Sequence, residues 1–120
     1  MSYLEKEKEL QSMVGQGQMM EAFDKFYAEH VIMEEPMTGK TEGKAANRKR
    51  EEEWMASLEE MHGGGVTGMA VNEEAGMTMT ELWMDATFKG GSRMKMEQVS
   101  VKKWEGDQIV HERFYYNTGQ

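Results

Sequence analysis

Three consecutive glycines, Gly63-Gly64-Gly65 behind His62, separate two hydrophobic rhythms in this 120-residue chain. Ahead of them apolar residues recur with a helical period; beyond them they alternate as strand residues do. Helices followed by a run of strands point to an α+β fold, with the helices laid on one face of an antiparallel sheet. A chain of this length reads as one domain, residues 1–120, large enough to bury a core of its own.

The first helix is predicted over residues 2–14. Ser2 is its cap, and Glu5 completes a capping box three residues on. Tyr3, Leu10, Met13 and Val14 share a face, residues 5–9 read as solvated, and Gly15-Gln16-Gly17 ends the helix. A second helix covers 18–29, with Met19, Phe23, Phe26 and Tyr27 as its apolar stripe. A short strand over 31–35 stops at Pro36, which cannot donate to a ladder. Residues 37–43 read as a loop and 44–61 as the third helix. Within it Arg48-Lys49-Arg50-Glu51-Glu52-Glu53 reads as a solvated face, because acids and bases sit at i,i+4 spacing. Trp54, Leu58 and Met61/His62 form its inner face, and His30 and His62 are placed at helix ends.

Four strands are predicted after the glycines, over 66–72, 77–88, 93–104 and 109–116, with a tail at 117–120. Turns at 73–76, 89–92 and 105–108 join them. In the second, Leu82, Met84, Ala86 and Phe88 share one face, and Met79, Glu81, Trp83 and Asp85 the other. In the third, the apolar parity changes near Glu97-Gln98, which predicts a β-bulge there. Long, twisted strands of this kind curl around the third helix and leave an open-ended cavity.

Charge and composition narrow the function. The net charge of −8 argues against nucleic acid and against anionic membranes, both of which select clustered Lys and Arg. No apolar run is long enough to span a bilayer, and the charged N-terminus does not read as a secretory leader, so a cytoplasmic location is the expectation. With no Cys, and three scattered His lacking ligand spacing, no metal site and no cofactor are expected. Fourteen Met residues read as pliable core filler, or as the lining of an adaptable pocket.

Two stretches carry a family resemblance. One is Phe26-Tyr27-Ala28-Glu29-His30-Val31-Ile32-Met33-Glu34-Glu35-Pro36, followed by Gly43-Lys44 opening a helix with Trp54. The other runs from Trp104-Glu105-Gly106-Asp107 through Ile109 to Arg113-Phe114-Tyr115-Tyr116. Together they resemble the nuclear transport factor 2-like superfamily, specifically the small bacterial SnoaL-like proteins. The resemblance implies a cystatin-like α+β cone: a curved antiparallel sheet wrapped around about three N-terminal helices, with a pocket at its wide end, in a homodimer formed through the outer sheet face. It implies a small apolar molecule as partner.

In the ketosteroid isomerases of that superfamily an acid-acid-Pro segment ends the equivalent strand, and its second acid is the general base. Glu34-Glu35-Pro36 is similar, which makes Glu35 the candidate catalytic base for isomerase, cyclase or lyase chemistry on a carbonyl compound. Phe23, Trp54, Glu97, Glu112, Phe114 and Tyr116 are the candidate pocket lining. The isomerases' oxyanion-holding Tyr and protonated Asp have no counterparts near Gln11 and at 98–100, where Glu97 is the nearest acid. The alternative is therefore a non-catalytic small-molecule-binding or protein-interaction module. Glu81, Trp83 and Asp85 read as an outer or interface face, with a polar pocket as the other possibility. His111, with Arg113 and Tyr115 on the opposite face of the last strand from Glu112, reads as a surface residue or an acid–base group.

Overall fold

The computed structural model describes residues 1–117, so the last three positions of the expected tail lie outside it. In chain order the elements are α1 (Tyr3–Gly15), α2 (Met19–Phe26), β1 (Tyr27–Glu35), β2 (Gly39–Glu42), α3 (Lys44–Ala56), β3 (Leu58–Asn72), β4 (Met77–Phe88), β5 (Arg93–Glu105) and β6 (Gln108–Tyr115). The six strands form one curved, unclosed sheet in the order β2-β1-β6-β5-β4-β3. The α+β architecture with three helices on a curved sheet is as the sequence implies. One pair departs from the antiparallel pattern: β1 runs parallel to β6, so the sheet is mixed.

Helix α1 begins as expected, with Ser2 and Glu5 closing a reciprocal capping box. The core gathers under α1 and α2, from Leu10, Phe23, Phe26, Tyr27, Val31, Met33, Trp104 and Ile109. Phe26 meets Trp104 edge-on at 5.7 Å, a favoured aromatic geometry.

Several boundaries differ from the sequence reading. Helix α2 ends at Phe26, and Tyr27 already opens β1. The segment read as a loop holds β2, whose residues 39–42 pair antiparallel with β1. Helix α3 stops at Ala56, five residues early. Ser57 turns the chain, its N–H reaching the Trp54 carbonyl at 3.0 Å and its own carbonyl accepting from Lys89 N–H at 2.8 Å. The three glycines therefore lie inside β3 rather than at a boundary. A Cβ built on Gly63 would lie 3.1 Å from Trp83 Cη2, and one on Gly65 3.2 Å from Trp83 Nε1. The indole of Trp83 lies across the neighbouring strand, and a side chain at Gly63 or Gly65 would make it give way by a few tenths of an ångström. The β4–β5 pairing is continuous from Met77/Lys103 to Thr87/Arg93, so no bulge occurs at Glu97-Gln98. The irregularity falls at Lys103/Trp104, between β5 and β6. The parity change arises because Val99 and Val101 lie on the outer sheet face, while Ser100 and Lys102 point inward to charged partners.

His30 lies exposed within β1 and His62 within β3, so neither ends a helix. His62 instead holds Thr87 Oγ1 and Glu60, both at 2.8 Å. Among the described residues no helix is long and apolar enough to cross a membrane.

Candidate functional site

Glu35 is the last residue of β1, and Pro36 follows it. Strand alternation puts it on the same face as buried Val31 and Met33, which lie under α3. Its Oε2 accepts from Arg50 Nη1 at 3.2 Å. Its Oε1 accepts from Thr38 Oγ1 at 2.9 Å and Tyr116 O–H at 3.4 Å. The second guanidinium nitrogen, Arg50 Nη2, reaches Glu51 Oε1 at 3.4 Å and Met33 Sδ at 3.9 Å. Arg50 thus sits between two carboxyls whose side chains are 22% and 19% exposed. Burial, reinforced by the negative charges of Glu112 and Glu35 and only partly offset by Arg50, pushes the Glu51 carboxyl up to about 7. Burial and the Glu35 charge likewise raise the Tyr116 phenol. Arg50 Nε is buried with no hydrogen-bond partner.

Behind this group runs a second, fully buried one. Register places Thr78 opposite Lys102, Thr80 opposite Ser100 and Lys102 opposite Glu112 on the helix-covered face of the sheet. From α1, Glu7 enters this row: Lys102 Nζ donates to it at 3.0 Å, Thr78 at 2.9 Å, Thr80 at 3.0 Å and Gln11 at 2.9 Å. Glu112 accepts from Tyr27 O–H at 2.5 Å and Ser100 Oγ at 2.6 Å, and lies 3.4 Å from Lys102. Burial favours the neutral form of Glu7, but the Lys102 charge and the hydrogen bonds from Gln11, Lys102 and Thr78 outweigh it and hold the carboxyl below its usual range. Burial works against the Lys102 ammonium too, and Glu112 and Glu7 more than restore it. Burial, then Glu112, pushes the Tyr27 phenol well up. Beyond this polar row the same face turns apolar, through Leu82, Met84 and Ala86.

Of the residues singled out from sequence, Glu35 and Tyr116 are brought together. Glu112 is buried in the inner network, and Phe114 packs against the core. Phe23 is a core residue, stacked on Tyr27 at 4.7 Å. Trp54 stands edge-on to Phe88 at 6.4 Å. Glu97 is exposed and pairs with Trp83, on the face turned away from Ser100 and Lys102, so it does not join the others. The reading of residues 5–9 as solvated is corrected at Lys6 and Glu7, which are buried, because Lys102 draws Glu7 inward. The solvated reading of 48–53 is corrected at Arg50 and Glu51. Spacing held the signal in both cases. Asn47, Arg50, Glu51 and Trp54 stand at i, i+3, i+4 and i+7, and Glu7 lies four residues after Tyr3 and three before Leu10. Tyr27, Ser100 and Lys102 carried no comparable signal.

Glu81, Trp83 and Asp85 do lie on the outer face. Asp85 takes a two-pronged contact from Arg93 at 3.0 and 2.9 Å, and Glu81 accepts from Thr67 Oγ1 at 2.5 Å. His111 pairs with Glu34 on that side. Two clefts on the described surface bear on these residues. One, of about 280 Å³, is lined by Glu34, Glu35, Pro36, Gly39, Arg113, Phe114 and Tyr115. The other, of about 290 Å³, is lined by Asp24, Glu29, Lys44, Ala45 and Arg48. No group of three His, Cys, Asp or Glu placed to hold a metal occurs among the described residues.

Comparison with known proteins follows the same lines. No curated protein matches the sequence. Among solved structures, a Mesorhizobium loti protein provisionally described as a SnoaL-like polyketide cyclase is 30% identical, with a TM-score of 0.86 over 97% of this chain and 100% of its own. A Pseudomonas putida protein provisionally described as a polyketide cyclase shares the fold at 15% identity, with a TM-score of 0.82 over 99% and 94% of the two chains. A Bacillus subtilis protein provisionally described as an isomerase does so at 17%, with a TM-score of 0.81 over 98% and 90%. The profile of the SnoaL-like domain matches residues 2–116, nearly the whole sequence, and the chain belongs to that family.

Proposed function

We propose that this protein binds a small, largely apolar carbonyl compound and moves a proton on it, with Glu35 as the base. The observation that carries the reading is the position of Glu35, which borders the 280 Å³ cleft and shares Arg50 with a second carboxyl. The cleft combines apolar surface from Pro36, Phe114 and Tyr115 with the charged groups of Glu34, Glu35 and Arg113, a mixture that can hold a small molecule in one orientation. Of the other candidates, Phe114 lines this cleft and Tyr116 donates to Glu35, whereas Phe23, Trp54 and Glu112 are not among its lining residues. The SnoaL-like fold of the cyclase-type and isomerase-type neighbours is compatible with this chemistry, though fold alone does not choose it.

A binding-only role is the second reading, favoured by the engagement of both Glu35 oxygens, one with Arg50 and the other with Thr38 and Tyr116. Oε2 accepts from Arg50 alone and keeps a second lone pair, so these contacts position the base without saturating it. Exchange of the α-protons of 2-tetralone in D₂O, followed by ¹H NMR, separates the two. Catalysis predicts exchange accelerated by the protein and slowed roughly 100-fold or more in Glu35→Gln. Equal rates for both proteins leave the binding role.

We further propose a homodimer through the outer face, where Met79 pairs with Val101, and Val99 with Tyr115, which is 48% exposed. Sedimentation equilibrium reads the mass directly. A cytoplasmic location is proposed on the same footing as the sequence reading.

A further inference from the structure

The chain has four arginines, and three of them hold carboxylates. Arg48 meets Asp24, Arg50 meets Glu35 and Glu51, and Arg93 meets Asp85. The fourth, Arg113, lies exposed on β6 and lines the 280 Å³ cleft together with Glu35. Among the described residues the one close contact found for its guanidinium is the ring of Tyr115, with Cζ 4.8 Å from the ring centre. Glu34 stands beside it in register on β1 but turns its carboxylate to His111. The hydrogen bond from His111, and then the charges of His111, Lys40 and Arg113, hold the Glu34 carboxyl below its usual range against the opposing effect of burial. Glu35, the other acid of the cleft, is bound to Arg50 at 3.2 Å. Each acid of the lining thus has a partner of its own, and the Arg113 fork keeps its donors for an incoming group.

We infer that Arg113 is a carboxylate clamp, and that the ligand of this cleft carries a carboxylate as well as its carbonyl group. The inference rests on the proposed placing of the ligand in this cleft. A guanidinium presents its donors as a planar fork that matches the two oxygens of a carboxylate in parallel, charge-assisted hydrogen bonds. Stacking on Tyr115 restrains the long side chain in advance, so less conformational freedom is lost when the anion arrives. The surrounding charges agree. Arg113 and Arg50 balance Glu35 and Glu34, and Lys40 stands in register with Glu34 on β2, so this corner accepts one more negative charge in a protein whose net charge is −8. A phosphate fits the same fork but brings a second charge towards Glu34 and Glu35, which favours the carboxylate. Pro36, Phe114 and Tyr115 supply the apolar surface, so the rest of the ligand is a short apolar frame. The ligand class is a keto acid rather than a neutral ketone.

The test compares three probes by ¹H–¹⁵N chemical-shift titration of the full chain at neutral pH: 2-naphthol, 6-hydroxy-2-naphthoate and 2-naphthyl phosphate. Tyr115 also belongs to the face proposed for the homodimer, so the protein is titrated in the assembly it forms in solution. The naphthoate is expected to bind more tightly than naphthol by roughly 10-fold or more, with shifts at Arg113 and Tyr115. Arg113→Gln is expected to remove that advantage, with an unchanged spectrum away from the cleft as the sign that it folds. Arg113→Lys keeps the charge without the fork and is expected to retain only part of the advantage. Equal binding of naphthol and naphthoate at the cleft overturns the clamp and leaves the proposed site in place. A naphthoate advantage that survives in Arg113→Gln overturns the role of Arg113. Tighter binding of the phosphate than of the naphthoate overturns the carboxylate assignment. No shifts at the cleft with any of the three overturns the clamp and the proposed site together.

Discussion

Lys102 is a cation with almost no access to water, held between Glu7 and Glu112 with Ser100 beneath it. Breaking such a set from one side is costly, because the partners stay buried without compensation. Lys102→Met is expected to lower unfolding free energy by about 3–5 kcal/mol in urea titration. Glu51 gives the opposite lesson. Its carboxyl binds a proton more tightly folded than unfolded, so between pH 4.5 and about 7 the native state holds the extra proton and stability falls as pH rises. The loss is on the order of 3 kcal/mol across that window. Glu51→Gln, which cannot ionise, is expected to flatten the profile and to be more stable than wild type above pH 7, as urea midpoints at pH 5 and 8 would show. Neither residue announces itself by type. A glutamate in a charged run reads as solvated, and only its helical spacing to Trp54 or to Tyr3 and Leu10 marks it as inward. The partners that make burial tolerable, Lys102 for Glu7 and Arg50 for Glu51, come from elements or rotamers that spacing does not reveal.

The strand β3 shows why element boundaries moved while element types held. Glycine is a helix terminator on local grounds, and a triple run reads as a break. Here Gly63 and Gly65 are strand residues because Trp83, eighteen or more positions later, occupies the space above them. The cause is a tertiary contact, invisible to any local window. Gly65→Val is expected to displace the indole and destabilise the protein by about 1–3 kcal/mol, with a change in Trp fluorescence. The strand β4 was legible residue by residue, since alternation along 77–88 is local information. The short β2 was not: Gly39, Lys40, Thr41 and Glu42 have no apolar alternation, and they pair because β1 presents an edge beside them. Hydrogen bonds from Asn47 Nδ2 to the Thr41 and Gly43 carbonyls, at 2.9 and 2.8 Å, then fasten β2 to the start of α3.

Taken together, helices pack on one face of a sheet whose two free edges are β2 and β3. The order of helices and strands, and two short motifs, made the family legible from the sequence, because topology follows the order of elements. Of the candidate site, only Glu35 and its neighbours on β1 and β6 were legible in the sequence; the contact of Arg50 with Glu35 depends on how α3 lies against the sheet. Where a ligand settles on the protein decides between the proposed site and any other. ¹H–¹⁵N chemical-shift mapping with 2-naphthol, a phenol that mimics an enol, asks this without needing turnover. Shifts are expected to centre on Glu35, Arg50, Glu51, Phe114 and Tyr116. Shifts centred on the cleft of Asp24, Lys44 and Arg48, or none at millimolar naphthol, would contradict it.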